Sequence, residues 1–209
     1  QLLQQTPMGQ TAAQWIAQRD GASARGTSPD PLHSTLDRQT LKNLYTASES
    51  LRDARTGFPS NTNEPANRKV SRSTDVAFDL ITTILSMDAG LIDDEPGANQ
   101  QKALDHLTKV VSSLRQVMDD LKQQKLAFAG LFPESFDLED GAPTALVRDG
   151  LLRYSTLDSG WLHAALYLIA QRFRTAAPAL ATMADGLVNA PEVDYRSLVS
   201  QSNSLLGSG

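Results

Sequence analysis

The chain has 209 residues, 24 of them Asp or Glu against 19 Lys or Arg, a formal net charge of −5 and no cysteine. That length removes well over half of the unfolded surface from water, enough for one buried core. The acidic balance, with Arg68, Lys69 and Arg72 as its densest cationic patch, lacks the basic stripe of a nucleic-acid footprint; the absent thiols exclude disulfides, thiolate metal ligands and a cysteine nucleophile.

In chain order the pattern is helical, without strand alternation. Residues 1–35 read as an N-terminal extension: a weak helix over Thr11 to Arg19, then a Gly-, Ser- and Pro-containing linker over Gly21 to Pro31. Leu41, Leu44, Tyr45, Ala47, Ser48 and Leu51 then form one apolar stripe, predicting a helix from about Leu36 to Ala54. Thr56-Gly57-Phe58-Pro59 ends it, and the polar stretch Pro59 to Ser71 reads as a loop.

The next helix, Ser73 to Ala89, differs in kind. Val76, Ala77, Phe78, Leu80, Ile81, Ile84, Leu85 and Met87 leave only a narrow polar side, so an interior position is expected, with Gly90 as its stop. After an acidic turn over Asp93 to Gly97, the spacing of Leu104, Leu107, Val110, Val111, Leu114, Val117, Met118 and Leu121 predicts an ordinary amphipathic helix on the outside. A long connection, Ala127 to Gly150, follows; connections of that length without their own secondary structure tend to be functional. From Thr156 to Phe173 the chain is again apolar nearly all round, and a weaker amphipathic helix covers Ala179 to Val188.

Outer and inner helices thus alternate, as a double-layered ring of helical hairpins requires. In such a ring the inner helices run parallel and gather their N-termini, with free N–H groups and positive dipole ends, on one face. Both inner helices open with a Ser-Thr pair and a first-turn carboxylate: Ser73-Thr74-Asp75 and Ser155-Thr156-Leu157-Asp158.

The segments R-S-T-D-V-A-F-D-L-I-T-T-I-L-S-M-D-A-G-L-I (72–92), Y-S-T-L-D-S-G-W-L-H-A-A-L (154–166) and D-Y-R-S-L-V-S-Q-S-N-S-L-L-G (194–207), in that order, resemble the bacterial glucoamylase-like α/α-toroid domains. This group includes a domain of unknown function linked to polysaccharide systems, endo-β-1,2-glucanases and the glycan-processing part of cyclic β-1,2-glucan synthases. A looser match is A-R-T-G-F-P-S-N (54–61) to an early turn of the family. The resemblance covers roughly 36–207. It implies an all-α toroid of helical hairpins over 36–209, with a sugar-binding funnel at the N-terminal ends of the inner helices, where Asp75 matches the acidic or polar residue that opens one inner helix and Asp158 the aspartate of the second. It also implies that this chain holds only the first half of the ring.

Glycoside cleavage commonly needs two carboxyl groups, one protonated and one acting as base or nucleophile. The candidates are Asp75, Asp158, Glu134 and Asp137. Asp75 and Asp158 are explained at least as well as first-turn helix stabilisers, which are common; Glu134 and Asp137 are explained as parts of a flexible acidic loop. A helix dipole lowers a carboxyl pKa, which favours a base or hydroxyl-acceptor role for Asp75 and Asp158 and gives proton donation to Glu134 or to a residue outside the chain. Arg72, Tyr154, Trp161 and Asp137 are candidate sugar contacts, with Phe58 a further aromatic near the mouth; solvated charge and core packing are the competing explanations.

His33, His106 and His163 lack metal-ligand spacing, no phosphate-binding glycine loop occurs, and Ser159 lacks the glycine two positions before it that a nucleophile elbow needs. No cofactor or metal is therefore expected. No segment is long and apolar enough to span a bilayer. Gln1 is not a native start and Ser204 to Gly209 end without a cap, so a shortened piece of a longer, periplasmic or secreted protein is expected. Two functions fit: a glycoside hydrolase or transglycosylase acting on a bacterial glucan or exopolysaccharide, and a noncatalytic helical domain that binds glycan or a partner protein. In either case an apolar flank must be covered by further sequence or by a second copy.

Overall fold

A computed structural model describes residues 35–61, 70–138, 144–148 and 151–189. The expected helix at Thr11 to Arg19, the Gly21 to Pro31 linker, Arg68, Lys69 and the 194–207 segment lie outside them. The chain divides into two units, Gln1–Leu41 and Lys42–Gly209; the first is described only over Thr35–Leu41, and the architecture below is that of the second.

Helix α1 (Thr35–Glu49) stops a turn and a half before the expected Ala54, because the chain turns back at 50–60. Gly57, at φ +77°, makes that turn, and Arg52 forms an antiparallel bridge with Pro59. Strand β1 (Val70–Arg72) leads directly into α2 (Ser73–Asp88). At the far end of α2, Gly90 adopts φ +63°, and the Leu91 and Gly90 amides donate to the carbonyls of Ser86 and Met87. That is the Schellman closure a C-terminal glycine permits. Helix α3 (Pro96–Gln123) starts earlier than its apolar repeat, since its first turn is polar with Pro96 at the N1 position. The side chain of Asn99 ties it back: Oδ1 accepts from the Ile92 amide at 3.0 Å and Nδ2 donates to the Met87 carbonyl at 2.7 Å.

The long connection is neither structureless nor wholly loop, which corrects the all-α expectation. β2 (Ser135–Asp137) pairs antiparallel with β1, in the register Val70↔Asp137, Ser71↔Phe136, Arg72↔Ser135, and with β3 (Thr144–Ala145) on its other side. β4 (Val147–Arg148) and β5 (Leu151–Leu152) form a separate two-stranded hairpin. Helices α4 (Thr156–Arg172) and α5 (Pro178–Val188) complete the described chain.

α2 and α4 run side by side and in parallel. Their first turns meet where the Thr74 hydroxyl donates to Asp158, and their last turns meet where Arg172 pairs with Asp88 at 2.9 Å. α3 packs on α2, α5 packs on α4, and α3 and α5 also touch, giving two layers of two helices. Leu80, Leu107, Leu114, Leu162, Leu166 and Ile169 are fully buried between them; truncating any one of the leucines to Ala costs about 2–5 kcal/mol. The inner helices are not apolar on every side for the reason expected. Phe78, Leu85, Leu157, Trp161 and Leu168 face out with 38–70% of their surface exposed, so among the described residues one face of the inner pair has no covering layer.

Candidate functional site

The helix starts are brought together by backbone as well as by side chains. Glu134, immediately before β2, donates its amide to the Arg153 carbonyl at 2.9 Å and accepts from the Ser73 amide at 3.1 Å, so one residue braces the openings of both inner helices. The Ser73 hydroxyl adds a 2.5 Å bond to the Pro133 carbonyl, and Pro133 bridges to Tyr154. The Ser-Thr pairs therefore do more than cap. On α4, Ser155 is the N-cap and its Oγ accepts from the Asp158 amide at 3.1 Å. On α2 the N-cap is Arg72 in extended conformation, and Asp75 Oδ2 accepts from the Arg72 amide at 3.2 Å.

Asp75 and Asp158 thus sit at adjacent helix starts, each part-buried, with the Thr74 hydroxyl from α2 bonded to Asp158 Oδ1 on α4. Burial pushes the Asp75 carboxyl above the ordinary carboxylate value; the Arg72 amide and guanidinium oppose this, and the negative charge of Asp158 adds to it. That direction is opposite to the one a helix dipole alone gives a first-turn carboxyl.

The other expected contacts separate. Glu134 stands beside the pair through its backbone. Asp137 lies three residues further along β2, opposite Val70 and Thr144. Arg72 is exposed at the mouth. The Tyr154 hydroxyl donates to the Leu126 carbonyl and its ring lies 5.8 Å from that of Phe128, which ties the 126–134 segment to the start of α4. Burial raises the Tyr154 hydroxyl above its ordinary pKa. Trp161, one turn below Asp158, meets Phe78, one turn below Asp75, at 5.5 Å between ring centroids. Phe58 is fully buried edge-on to Phe136 at 4.9 Å, so it belongs to the core and not to the mouth. Ser159 is likewise structural: its Oγ accepts from the Phe132 amide and donates to the Phe132 carbonyl.

A second polar cluster escaped the sequence. Arg52 donates through Nε to Asp79 Oδ1 at 2.9 Å, through one terminal nitrogen to the Tyr45 hydroxyl at 3.0 Å and through the other to Thr83 Oγ1 at 2.8 Å. His106 Nε2 lies 2.6 Å from Asp79 Oδ2. The signal was a lone carboxylate, Asp79, in the middle of an apolar run. Its partners lie 27 residues away on either side, beyond the reach of local spacing. Burial opposes the charge on Arg52, but Asp79 and the Tyr45 hydroxyl more than offset it and raise its pKa. His163 is buried against Phe132, its rings 5.0 Å apart, and desolvation lowers its pKa, partly countered by a hydrogen bond to the Ser159 backbone. Among the described residues no three His, Cys, Asp or Glu side chains converge as a metal site, and no helix is long and apolar enough to cross a membrane. A cleft of about 280 Å³ between α3 and α5, lined by Arg115, Met118, Lys122 and Met183, is separate from the carboxylates.

Comparison with solved structures places the fold. An endo-β-1,2-glucanase from Chitinophaga pinensis, in complex with sophorotriose and glucose, superposes with a TM-score of 0.55 at 16% identity, over 72% of this chain and 36% of the other. Candidate glucoamylases from Bacteroides caccae and Bacteroides fragilis give TM-scores of 0.54 and 0.52 at 14% and 15% identity, over 72% and 77% of this chain and 36% and 37% of theirs. The fold is glucoamylase-like. The chain spans little more than a third of the length of each matched protein. No family model and no curated protein matches the sequence.

Proposed function

We propose that this chain is the first half of an α/α toroid that acts on a bacterial glucan or exopolysaccharide, as a periplasmic or secreted glycoside hydrolase or transglycosylase. The observation that carries the proposal is the pair of part-buried carboxylates, Asp75 and Asp158, at the gathered N-termini of two parallel inner helices. In the proposed mechanism Asp75 holds a proton for the glycosidic oxygen, and Asp158 accepts a hydrogen bond from a sugar hydroxyl or an attacking water. Arg72 at the rim and Trp161 one turn below supply hydroxyl and ring contacts. Further helices, from continuing sequence or a second copy, cover the face carrying Phe78, Leu85, Trp161 and Leu168.

That exposed face, with a span of only 36–37% of the matched chains, favours a second reading for the chain by itself: a glycan-binding module without turnover. Binding calorimetry and product analysis against linear and cyclic β-1,2-glucans and other bacterial glucans, with Asp75→Asn and Asp158→Asn beside the parent, test both. Turnover or binding lost in the variants at unchanged thermal stability supports the site, and binding without turnover in the parent selects the module. Unchanged binding in both variants sinks the assignment.

A further inference from the structure

The Thr74 hydroxyl and Asp158 carboxylate are 84 residues apart in sequence, yet their hydrogen bond is the side-chain link between the two helix openings. Thr74 belongs to the first turn of α2, where a helix start asks only for a group that satisfies free amides. Its hydroxyl instead leaves its own helix and donates to the neighbouring one. Asp158 is held twice: Ser155 Oγ receives its amide, and Thr74 engages Oδ1 of its carboxylate. Oδ2 takes no hydrogen bond from the described residues. A carboxylate with one oxygen held by a protein donor is restricted in orientation and keeps the other oxygen for a ligand. Such preorganisation is what a group that must accept from a sugar hydroxyl or a water requires.

We infer that Thr74 is a positioning residue, which fixes the Asp158 carboxylate across the interface between the inner helices and leaves Oδ2 as the acceptor for the glycan. The inference rests on the carbohydrate reading for its ligand, but not for its geometry. Neighbouring groups do not duplicate the role: the Ser73 hydroxyl is committed to the Pro133 carbonyl, and the Asp75 carboxylate to the Arg72 amide. Thr74→Val keeps the shape of the side chain and removes the donor, and Thr74→Ser keeps the donor and removes the methyl group.

The experiment follows the Asp158 carboxyl carbon by NMR in the full chain at pH 7, with glucan binding and turnover measured alongside. In Thr74→Val the Asp158 resonance moves and sugar affinity or turnover falls by about tenfold or more; Thr74→Ser returns both toward the parent. If Thr74→Val does not fold, Thr74→Ala serves as the second donor deletion. An Asp158 resonance unchanged on loss of the donor overturns the inference. So does a serine variant that behaves like valine, since packing and not the hydroxyl would then be responsible. A resonance that moves and is restored by serine, in a chain whose parent neither binds nor turns over any glucan, upholds the positioning role and rejects the carbohydrate reading.

Discussion

Asp79→Asn tests how the fold is tied together. Asp79 lies in α2 with a side chain 2% exposed, and its carboxylate is shared by the Arg52 guanidinium, itself 8% exposed, and His106. Asparagine keeps the size and one acceptor but removes the charge, leaving a guanidinium buried without its counter-ion. Breaking one side of such a pair costs about 3–5 kcal/mol, a large share of a typical stability of about 5–15 kcal/mol. At about 2–4 °C per kcal/mol for a chain of this size, the melting temperature should fall by about 6–20 °C. Urea unfolding at pH 7 followed by far-ultraviolet circular dichroism reads this as a lower midpoint at an unchanged m-value. A double-mutant cycle with Arg52→Met isolates the pair: Asp79→Leu combined with Arg52→Met should recover most of the loss, because an apolar replacement strands no charge. A loss below about 1 kcal/mol for Asp79→Asn, or additive single and double variants, would refute the reasoning that this buried ion pair holds the 50–60 turn against α2.

Asp75 should behave in the opposite sense. Its folded-state pKa is raised by burial, so its contribution to stability is fully present below the unfolded carboxylate value and is lost as pH rises through the folded value. Asp75→Asn removes that loss: thermal scans from pH 3 to 7 should find the variant as stable as the parent or more so at neutral pH, with any advantage vanishing in acid. A neutral-pH deficit would mean that Asp75 is a helix stabiliser first. Gly57→Ala places a Cβ 2.9 Å from Val110 Cγ2 at a residue with φ +77°, and the left-handed conformation alone costs about 1–2 kcal/mol. Equilibrium unfolding should register at least that loss, and a neutral result would show that the turn relaxes.

The inner helices were legible because their signal is long: the apolar runs after Ser73 and Thr156 predict α2 and α4 to within a residue, and Gly90 stops α2 as a left-handed glycine should. The start of α3 was missed because Pro96 to Asn99 carry no apolar repeat, although Asn99 is buried as a tie to the preceding turn. The strands escaped for a related reason, since two or three residues cannot display a period of two. At the candidate site, residue type and position pointed to Asp75 and Asp158, but no spacing announces that Thr74 bonds Asp158 or that Glu134 braces both helices. Those contacts join residues 19 to 84 apart, and the side-by-side packing of α2 and α4 brings them together. Depth of burial, which decides the sign of the Asp75 shift, is likewise left open by a helix-end position.

Parallel pairing of α2 and α4 has a consequence for synthesis. The two polar ties between them, Thr74 to Asp158 and Asp88 to Arg172, each span 84 residues, so α2 emerges from a ribosome long before its neighbour exists. At about 5–20 residues per second the wait is roughly 4–17 s. During that interval α3 is the partner α2 can acquire, through a short antiparallel hairpin, and the apolar surface reserved for α4 stays open. In a chain that folds as it is made, the order of assembly follows the direction of translation: hairpin first, inner pair second. The interval between them is when a chaperone, or another copy of the nascent chain, has access to the same surface.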